Sequence, residues 1–406
     1  MSPVTRLYLK KGREESLLRF HPWVFSGAIG GIEGPDPEEG DPVAVYSTRK
    51  EYLGWGHYQI GSIAVRMLSF ADDMPSGGPD TAFWAQRLQR CLDARKAFGL
   101  AGATGTTCYR LVHGEGDSLP GLVIDWYDGV CVLQAHSAGM FRARKDIAAA
   151  LRQIYGEALR GVYDKSAGTA PFKAGLELGD GYLWQAGGTT ELCPCTVLEN
   201  GHKFLVDWEK GQKTGFFLDQ RENRALVERY ARGRRVLNLF CYTGGFSVYA
   251  LAGGAAAVDS VDSSARAVEL VDQNIALNFG PNAPHRSLCC DAIDFVKEAP
   301  KDAYDLMIVD PPAFAKHRGA LSNALRAYQR LNAAAISAIA PGGFVFTFSC
   351  SQVVDREAFA LAVFSAAADA GRAVRIVDRL NQPADHAVNI FHPEGSYLKG
   401  LVLYVE

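Results

Sequence analysis

The sequence has no apolar segment long enough to cross a membrane, since no stretch approaches the ~20 uninterrupted apolar residues that a transmembrane helix requires. The first twenty residues lack the apolar centre of a secretory signal peptide. With 48% hydrophobic and 21% charged residues, the composition is that of a soluble globular protein. We therefore expect a cytoplasmic protein without a membrane partner, and 406 residues suffice for roughly two or three domains.

The nine cysteines show no paired spacing of the kind that marks a disulfide framework or a zinc site. Neither Cys193-Pro194-Cys195 nor Cys289-Cys290 can form an ordinary bridge, and no His/Cys pair of matching spacing completes a metal site. We expect no metal, mostly buried thiols and a reducing compartment. The formal net charge of −3 argues against a general polyanion-binding protein but is compatible with a local basic groove.

Residues 235–262 have the pattern of a strand, a glycine turn, a helix, a second strand and an acid, which is typical of one half of a doubly wound α/β nucleotide site. The turn is not G-x-G-x-x-G and has no P-loop lysine. Asn238, Phe240 and Tyr242 stand where a dinucleotide site has small residues, so there is little room for a pyrophosphate. An adenosine-type ligand without phosphates, S-adenosyl-L-methionine (SAM), fits better, with Asp262 accepting from its ribose hydroxyls. The alternative is an ordinary tight β–α turn.

The pattern along the chain predicts three consecutive domains. Residues 1–70 form a small β domain with strands at 7–9, 42–46, 52–58 and 63–68, and residues 21–25 occupy a turn or edge segment. Residues 71–190, which begin with a polar linker, form an α+β domain in which Asp128-Gly129 is a hairpin turn. Residues 196–207 form a predicted hairpin with Asn200-Gly201 at its turn. Strands and helices alternate through residues 191–406, which predicts a mostly parallel sheet. Positive charge is concentrated early in the first domain, at Arg6, Lys10, Lys11, Arg13 and Arg19. The alternative to a functional patch is a solvated face, partly balanced by Glu14 and Glu15.

Four polar residues, Asp262, Asp291, Asp310 and Cys350, each lie at the end of a predicted strand of the third domain, where ligands bind in such sheets. Each aspartate could instead be a helix N-cap, and the cysteine could simply be packed. Two prolines after Asp310 fix the exit of its strand and would hold the carboxylate beside a planar substrate, on which Phe314 could stack. Cys350, at a strand tip between two serines, is a candidate nucleophile.

Seven motifs together resemble those of one known family. They are HPWVF (21–25), ENGHKF (199–204), KTGFFLDQREN (213–223), NLFCYTGGFS (238–247), DPPAFAK (310–316), FSCS (348–351) and DHAVNIFHPEGSYLKG (385–400). Over nearly its whole length the chain resembles the SAM-dependent bacterial 23S rRNA 5-methylcytosine methyltransferases. The resemblance implies an α/β fold: a Rossmann-like class I methyltransferase domain (191–406), an N-terminal β-barrel-like PUA domain (1–70) and a small α+β middle domain (71–190). One departure, Ala387 in place of an expected proline, affects only local loop geometry.

The resemblance also implies roles for individual residues. Gln220 and Arg221 border the SAM pocket, Asp262 holds the ribose, and Asp310 lies between the methyl donor and the target base. Cys350 is the nucleophile. The floor and turn of the pocket are formed by Asn238, Phe240, Tyr242 and Gly244, and the adenine faces Asp291 and Ala292.

The implied reaction is methyl transfer from SAM to C5 of a cytosine through a covalent adduct of Cys350 at C6, with Asp310 hydrogen-bonding the base. His386 and Glu394 are candidates for the base that removes the C5 proton. The implied partner is 23S rRNA, naked or in an assembly intermediate, with its target nucleotide flipped out and the PUA domain contacting the RNA. Exposed edges of the first two domains are compatible with a homodimer.

Three alternatives remain open at this stage. A related guanine-N7 methyltransferase would share the glycine turn and the Asp-Pro-Pro motif but would need no thiol. A non-catalytic ribosome-assembly factor would keep SAM as a structural ligand. A small-molecule dehydrogenase is disfavoured by the poor phosphate turn.

Overall fold

The computed structural model describes residues 4–70, 72–171, 175, 178–187 and 191–406. The chain divides into two compact units that are discontinuous in sequence. Unit 1 comprises residues 1–197, 206–218 and 384–395, and unit 2 comprises residues 198–205, 219–383 and 396–406. The three consecutive domains expected from the sequence stay a prediction.

The first sheet of unit 1 has six strands in the order β2-β6-β5-β4-β1-β3. The four predicted strands are confirmed, and β2 falls at the sheet edge, where residues 21–25 were placed. The strand β3 was not predicted, because its two glycines weaken the strand signal. The elements are β1 (Arg6–Leu9), the short helix α1 (Glu15–Leu18), β2 (Trp23–Phe25), β3 (Ile29–Glu33), β4 (Pro42–Tyr46), β5 (Tyr52–Tyr58) and β6 (Ile63–Ser69).

The second sheet of unit 1 has five strands in the order β11-β10-β9-β8-β7, with two long helices packed against it. Asp128 and Gly129 adopt positive φ values of 42° and 98° in the predicted turn between β8 and β9. The elements are α2 (Thr81–Ala97), β7 (Cys108–His113), β8 (Leu122–Tyr127), β9 (Val130–Ala135), α3 (Ala138–Tyr155), β10 (Gly161–Asp164) and β11 (Gly181–Gln185).

A hairpin of β12 (Cys195–Glu199) and β13 (His202–Val206) follows, and it turns at Asn200 and Gly201 as predicted. Both turn residues have positive φ, 50° and 86°, which an Asn-Gly pair adopts readily.

Unit 2 is built on a seven-stranded sheet in the order β16-β15-β14-β17-β18-β20-β19. The first five strands in this order run parallel, and β20 is antiparallel to both of its neighbours. The strands are β14 (Arg235–Leu239), β15 (Ala257–Asp262), β16 (His285–Cys289), β17 (Tyr304–Val309), β18 (Ile339–Ser349), β19 (Val374–Asn381) and β20 (Lys399–Val405). The helices are α4 (Arg221–Tyr230), α5 (Gly245–Ala252), α6 (Ala265–Phe279), α7 (Ala292–Glu298), α8 (Leu321–Ala338) and α9 (Arg356–Ala370).

Side-chain caps define where several helices of unit 2 begin. Ser264 caps α6 through the N–H of Ala267, and Asp355 caps α9 through the N–H of Ala358. The mostly parallel sheet predicted from alternating strands and helices is confirmed. Among the described residues, no helix combines the length and apolar character that a bilayer span needs.

Gly253, which ends α5, lies against the backbone of α4. A Cβ at this position would be 2.1 Å from the carbonyl oxygen of Glu228. Because this oxygen belongs to the backbone of α4, the clash could be relieved only by moving a helix. We therefore expect Gly253→Ala to destabilise the protein by about 1–3 kcal/mol, as overpacking usually does, and to lower its melting temperature by several degrees. Gly27→Ala is the control, because nothing lies within 4 Å of its Cβ position. Equal melting temperatures for the two variants by calorimetry would show that α4 and α5 do not approach as described.

Candidate functional site

The carboxyl ends of the parallel strands of unit 2 bring the four predicted strand-tip residues to one edge of the sheet. Asp262 ends β15, Asp310 follows β17, and Cys350 follows β18. Val309 pairs with Thr347 in the β17–β18 ladder, so Asp310 and Cys350 emerge from neighbouring strands. The side-chain oxygen of Ser351 accepts a hydrogen bond from the backbone N–H of Ala315 at 3.3 Å and so links the loop after β17 to the turn after β18.

The glycine turn between β14 and α5 has an unusual backbone. Phe240, Tyr242 and Gly244 all have left-handed φ values, 57°, 47° and 77°. This conformation is uncommon for bulky residues and typically costs about 1–3 kcal/mol each, and such residues concentrate at binding sites. The backbone N–H of Tyr242 donates to Asp262 Oδ2 at 2.9 Å, which ties the turn to the end of β15.

The two acids at neighbouring strand ends make different local contacts. Asp262 accepts one backbone N–H on each carboxylate oxygen, from Tyr242 and from Ser264, so each oxygen keeps a lone pair for a further donor. Asp291 is the N-cap of α7 and accepts the N–H groups of Ile293 and Asp294 through Oδ1. The N-cap alternative raised for Asp291 is therefore observed, and its predicted place at the adenine, next to the buried Ala292, stays a prediction.

Asp310 is oriented by a chain of side-chain amides. Gln220 Nε2 donates to Asp310 Oδ2 at 3.0 Å, and Asn223 Nδ2 donates to Gln220 Oε1 at 2.6 Å. Asn223 Nδ2 also lies 3.2 Å from the carbonyl oxygen of Asn381. The structure thus joins a predicted cofactor residue to a predicted catalytic one. Asn223, which was not predicted as a site residue, stands three positions after Gln220, the spacing at which residues of one helical turn meet.

Arg221 belongs to a buried ionic cluster around Glu199. Arg224 binds Glu199 through two hydrogen bonds of 2.8 and 2.7 Å, and Arg221 Nε lies 3.6 Å from the same carboxylate. The hydroxyl of Tyr249 donates to it as well, at 3.0 Å. Glu199 and both arginines are at most 3% exposed. The predicted role of Arg221 at the SAM pocket stays a prediction, and the cluster fixes α4 and α5 against the β12–β13 hairpin.

Asn238 lies in a buried polar network beneath α5. Its Nδ2 donates to the Ser247 hydroxyl at 2.9 Å, and Ser247 and Ser260 hydroxyls are 2.6 Å apart. The network ends at His285, whose Nε2 lies 2.8 Å from the Ser260 hydroxyl. Asn238 Oδ1 is buried and accepts no hydrogen bond from the described residues. It therefore remains an acceptor under the turn that carries Phe240, Tyr242 and Gly244.

The turn that carries Cys350 is held on both sides by buried hydroxyls. Ser349 donates to the hydroxyl of Tyr328 at 3.0 Å, and that hydroxyl lies 3.3 Å from Ser351 Oγ. Both serines are fully buried, whereas Cys350 is partly exposed. The ring of Phe314, predicted to stack on a base, packs against Tyr328 with centroids 4.8 Å apart. The cysteine is thus held on a fixed turn and not packed in the core.

The two candidates for a C5 base, His386 and Glu394, belong to unit 1. His386 is buried, with Nδ1 3.2 Å from Asp385 Oδ1 and its ring 4.9 Å from that of His113. Glu394 lies beside two histidines, 3.6 Å from His21 Nε2 and 3.8 Å from His392 Nε2. No disulfide joins the nine cysteines, all of which lie in the described ranges.

Comparison with known proteins agrees with this geometry. A model for the S-adenosylmethionine-dependent methyltransferase family matches residues 109–390, and a model for a PUA-like domain matches residues 7–70. The chain belongs to the S-adenosylmethionine-dependent methyltransferase family. The predicted fold class and the predicted cofactor, SAM, are both confirmed.

Curated relatives match along the full length of this methyltransferase. Ribosomal RNA large subunit methyltransferase I of Aeromonas hydrophila is 40% identical over 400 residues and 98% of each chain. The protein of the same name from Escherichia coli O139:H28 is 39% identical over 405 residues, which are 98% of this chain and 99% of that one. The solved structure of SMU.776, described as a candidate methyltransferase complexed with SAH, is 26% identical, with a TM-score of 0.83 over 98% of this chain and 100% of that chain.

The residues at the sheet edge suit the adenosine part of SAM. A ribose presents two hydroxyl donors, and Asp262 has acceptor capacity on both of its oxygens. The turn with left-handed φ values, residues 240–244, contains no lysine or arginine. This agrees with a ligand that carries no phosphates. The positions of Gln220, Phe240, Tyr242 and Gly244 as cofactor residues remain predictions.

We expect Asp262→Ala to weaken SAH binding by about 10-fold to 100-fold, because each hydrogen bond to a carboxylate contributes about 1.5–3 kcal/mol. Isothermal titration calorimetry measures this. Asp259→Asn is the matched control, since Asp259 lies on the same strand but binds Arg286 and Tyr304. Unchanged affinity in Asp262→Ala, with a melting temperature like that of the control, would remove Asp262 from the cofactor site.

Proposed function

We propose that this methyltransferase transfers a methyl group from SAM to C5 of a cytosine in 23S rRNA, through a covalent adduct between Cys350 and C6. The observation that carries the proposal is the partly exposed thiol on the turn after β18, next to the strand β17 that Asp310 follows. The names of the curated relatives support ribosomal RNA of the large subunit as the substrate. The proposed location is the cytoplasm, because that is where such a substrate would be met.

The proposed reaction needs a nucleophile because C5 of cytosine is itself a poor one. The thiolate of Cys350 attacks C6, an S–C6 bond forms, and the electron pair of the C5=C6 double bond moves to C5. When bound, SAM supplies an electrophilic methyl group, which C5 accepts, and SAH is the product. A base then removes the proton from C5, the pair left on C5 restores the double bond, and Cys350 departs as a thiolate.

Asp310 is proposed to hold the target base during this addition. As a carboxylate, Asp310 accepts a hydrogen bond from the exocyclic amine of cytosine. As the protonated carboxylic acid, it donates a hydrogen bond to N3. The amide of Gln220 fixes the orientation of this carboxylate, and Asn223 fixes the amide in turn.

RNA contacts are proposed for a basic groove on the PUA-like domain. A cavity of about 450 Å³ lies between β1, β3 and the β4–β5 loop. Three lysines line it together with the ring of Tyr8, over which Lys50 Nζ lies at 6.0 Å from the centroid. Its lining residues are Tyr8, Leu9, Lys10, Lys11, Gly30, Gly31, Thr48 and Lys50. Ammonium groups beside an aromatic ring suit a phosphate backbone with an unstacked base.

The nucleophile is tested with Cys350→Ala, for which we expect loss of methyl transfer to unmodified 23S rRNA with SAH binding intact. Cys289→Ala is the matched control, because Cys289 is exposed at the end of another strand, β16. RNA containing 5-fluorocytosine should form an adduct that survives denaturation and maps to Cys350. The adduct persists because C5 then carries fluorine in place of the proton that the base must remove before Cys350 can leave.

The same assay separates the alternatives. Retained methyl transfer by Cys350→Ala would overturn the covalent mechanism, and label recovered in 7-methylguanine would establish the guanine reaction in its place. Binding of SAM and RNA by the wild-type protein without any transfer of label would indicate a non-catalytic assembly factor.

The basic groove is tested with Lys11→Gln. If Lys11 contacts a phosphate, the salt dependence of RNA binding, plotted as log K against log salt concentration, should fall in slope by about 0.7–0.9. Lys145→Gln removes the same charge from the exposed face of α3 and should leave the slope unchanged. Equal slopes for the two variants in filter-binding titrations would exclude the groove as an RNA contact.

A further inference from the structure

Lys399 is a buried lysine placed next to the turn that carries Cys350. It is the first residue of β20 and pairs with Ser349, the last residue of β18, in the antiparallel ladder. The residue after Ser349 is Cys350. Lys399 is only 4% exposed, although a lysine is almost never fully buried without a partner.

The ammonium group of Lys399 binds the backbone of this turn. Its Nζ donates to the carbonyl oxygens of Ser351 and Val354, both at 2.6 Å, so the two bonds span the turn that begins at Cys350. Within the described ranges, no carboxylate lies within 4 Å of Nζ. Two carbonyls satisfy two of the three N–H donors but do not neutralise the charge, and an uncompensated buried charge is costly.

Three charged or titratable groups act on this ammonium. Burial is the main cause that lowers the pKa of Lys399, which is about 8. The negative charges of Cys350 and Asp355 raise this pKa, and the positive charge of Arg356 lowers it. Asp355 also caps α9, and Arg356 donates to the hydroxyl of Ser396 at 3.3 Å. Because the pKa is about 8, the amine is charged below that pH and loses its charge as the pH rises through it.

We propose that Lys399 is a positioning residue for Cys350: it holds the 350–354 turn through two hydrogen bonds and stabilises the thiolate of Cys350 by its positive charge. This inference rests on the nucleophile role proposed above for Cys350. A thiolate is the reactive form of cysteine, and a neighbouring lysine favours that form. The burial of Lys399 makes its charge more effective, because water does not screen it.

The test measures the reactivity of Cys350 without RNA. Wild-type protein bound to SAH is alkylated with iodoacetamide from pH 5.5 to 9.5, and the modified peptide that contains Cys350 is quantified by mass spectrometry. The exposed Cys289 is the internal reference in every sample. We expect Lys399→Met to react about ten-fold more slowly at Cys350 at pH 7, which corresponds to a rise of about one unit in the thiol pKa. Lys399→Arg keeps the charge and should restore most of the rate.

Lys301→Met is the matched control, because Lys301 is exposed in the turn before β17 and should leave the Cys350 profile unchanged. A folded Lys399→Met protein with the wild-type profile would overturn the proposal. If that variant does not fold, the wild-type profile decides: a midpoint near the ordinary thiol pKa of about 8.5 would overturn it equally. In methyl transfer, Lys399→Met should lower kcat while the KM for SAM stays constant.

These outcomes are independent of the test of the nucleophile. If Cys350→Ala retains methyl transfer, the proposed function fails whatever the alkylation profile shows. If Cys350→Ala is inactive and the profile of Lys399→Met matches the wild type, only the role of Lys399 fails.

Discussion

The site depends on the parallel alignment of five neighbouring strands, which end at one edge of the sheet in unit 2. This alignment places the glycine turn, Asp262, Asp310 and Cys350 on loops that leave the sheet on the same side. The loops are then joined by single hydrogen bonds, from Tyr242 to Asp262, from Gln220 to Asp310 and from Ala315 to Ser351. Each bond links two different loops, so the relative placement of the functional groups follows from the sheet and not from any one loop.

Buried charge is the second constraint, and the fold meets it in two ways. Glu199 is surrounded by Arg224, Arg221 and Tyr249, so its carboxylate accepts three hydrogen bonds and is paired with two arginines, and the cluster is a structural element. Such a cluster contributes little net stability, but removing one partner leaves an unpaired charge and is costly. Lys399 differs, because its two partners are neutral carbonyls. A buried ammonium without a carboxylate is unfavourable unless a nearby group can carry the opposite charge, and a thiol can do so by ionising.

Much of unit 2 could be predicted from local pattern. The runs Tyr304–Val309 and Ala265–Phe279 have the apolar spacing of a buried strand and an amphipathic helix, and the structure has these elements with those bounds. The helix α7 was not predicted, because seven residues hold too few turns for a clear periodicity. Its cap, Asp291, was nevertheless correctly offered as an N-cap.

Contacts between distant parts of the sequence could not be predicted in the same way. The pairing of Lys399 with Ser349 depends on the register of β20 against β18, across 50 residues, and no local pattern specifies it. The Glu199–Arg224 pair likewise joins a hairpin to a helix that begins 22 residues later. Asn223 could have been predicted as a site residue, since it follows Gln220 by three residues in the motif KTGFFLDQREN (213–223). The missing signal was the position of Asp310, which only the sheet order supplies.

The proposed chemistry requires a thiol that is both a nucleophile and a leaving group, and the surroundings of Cys350 are consistent with both. A thiolate stabilised too strongly reacts slowly, because nucleophilicity falls as the thiol pKa falls, and the best attacking thiol has a pKa near the ambient pH. A permanently charged guanidinium in a bidentate pair would stabilise the thiolate strongly. Burial lowers the pKa of the Lys399 amine to about 8. This amine is therefore a weaker source of positive charge, and its charge depends on pH. A lysine held by two carbonyls therefore suits a thiolate that must first add to C6 and then leave it.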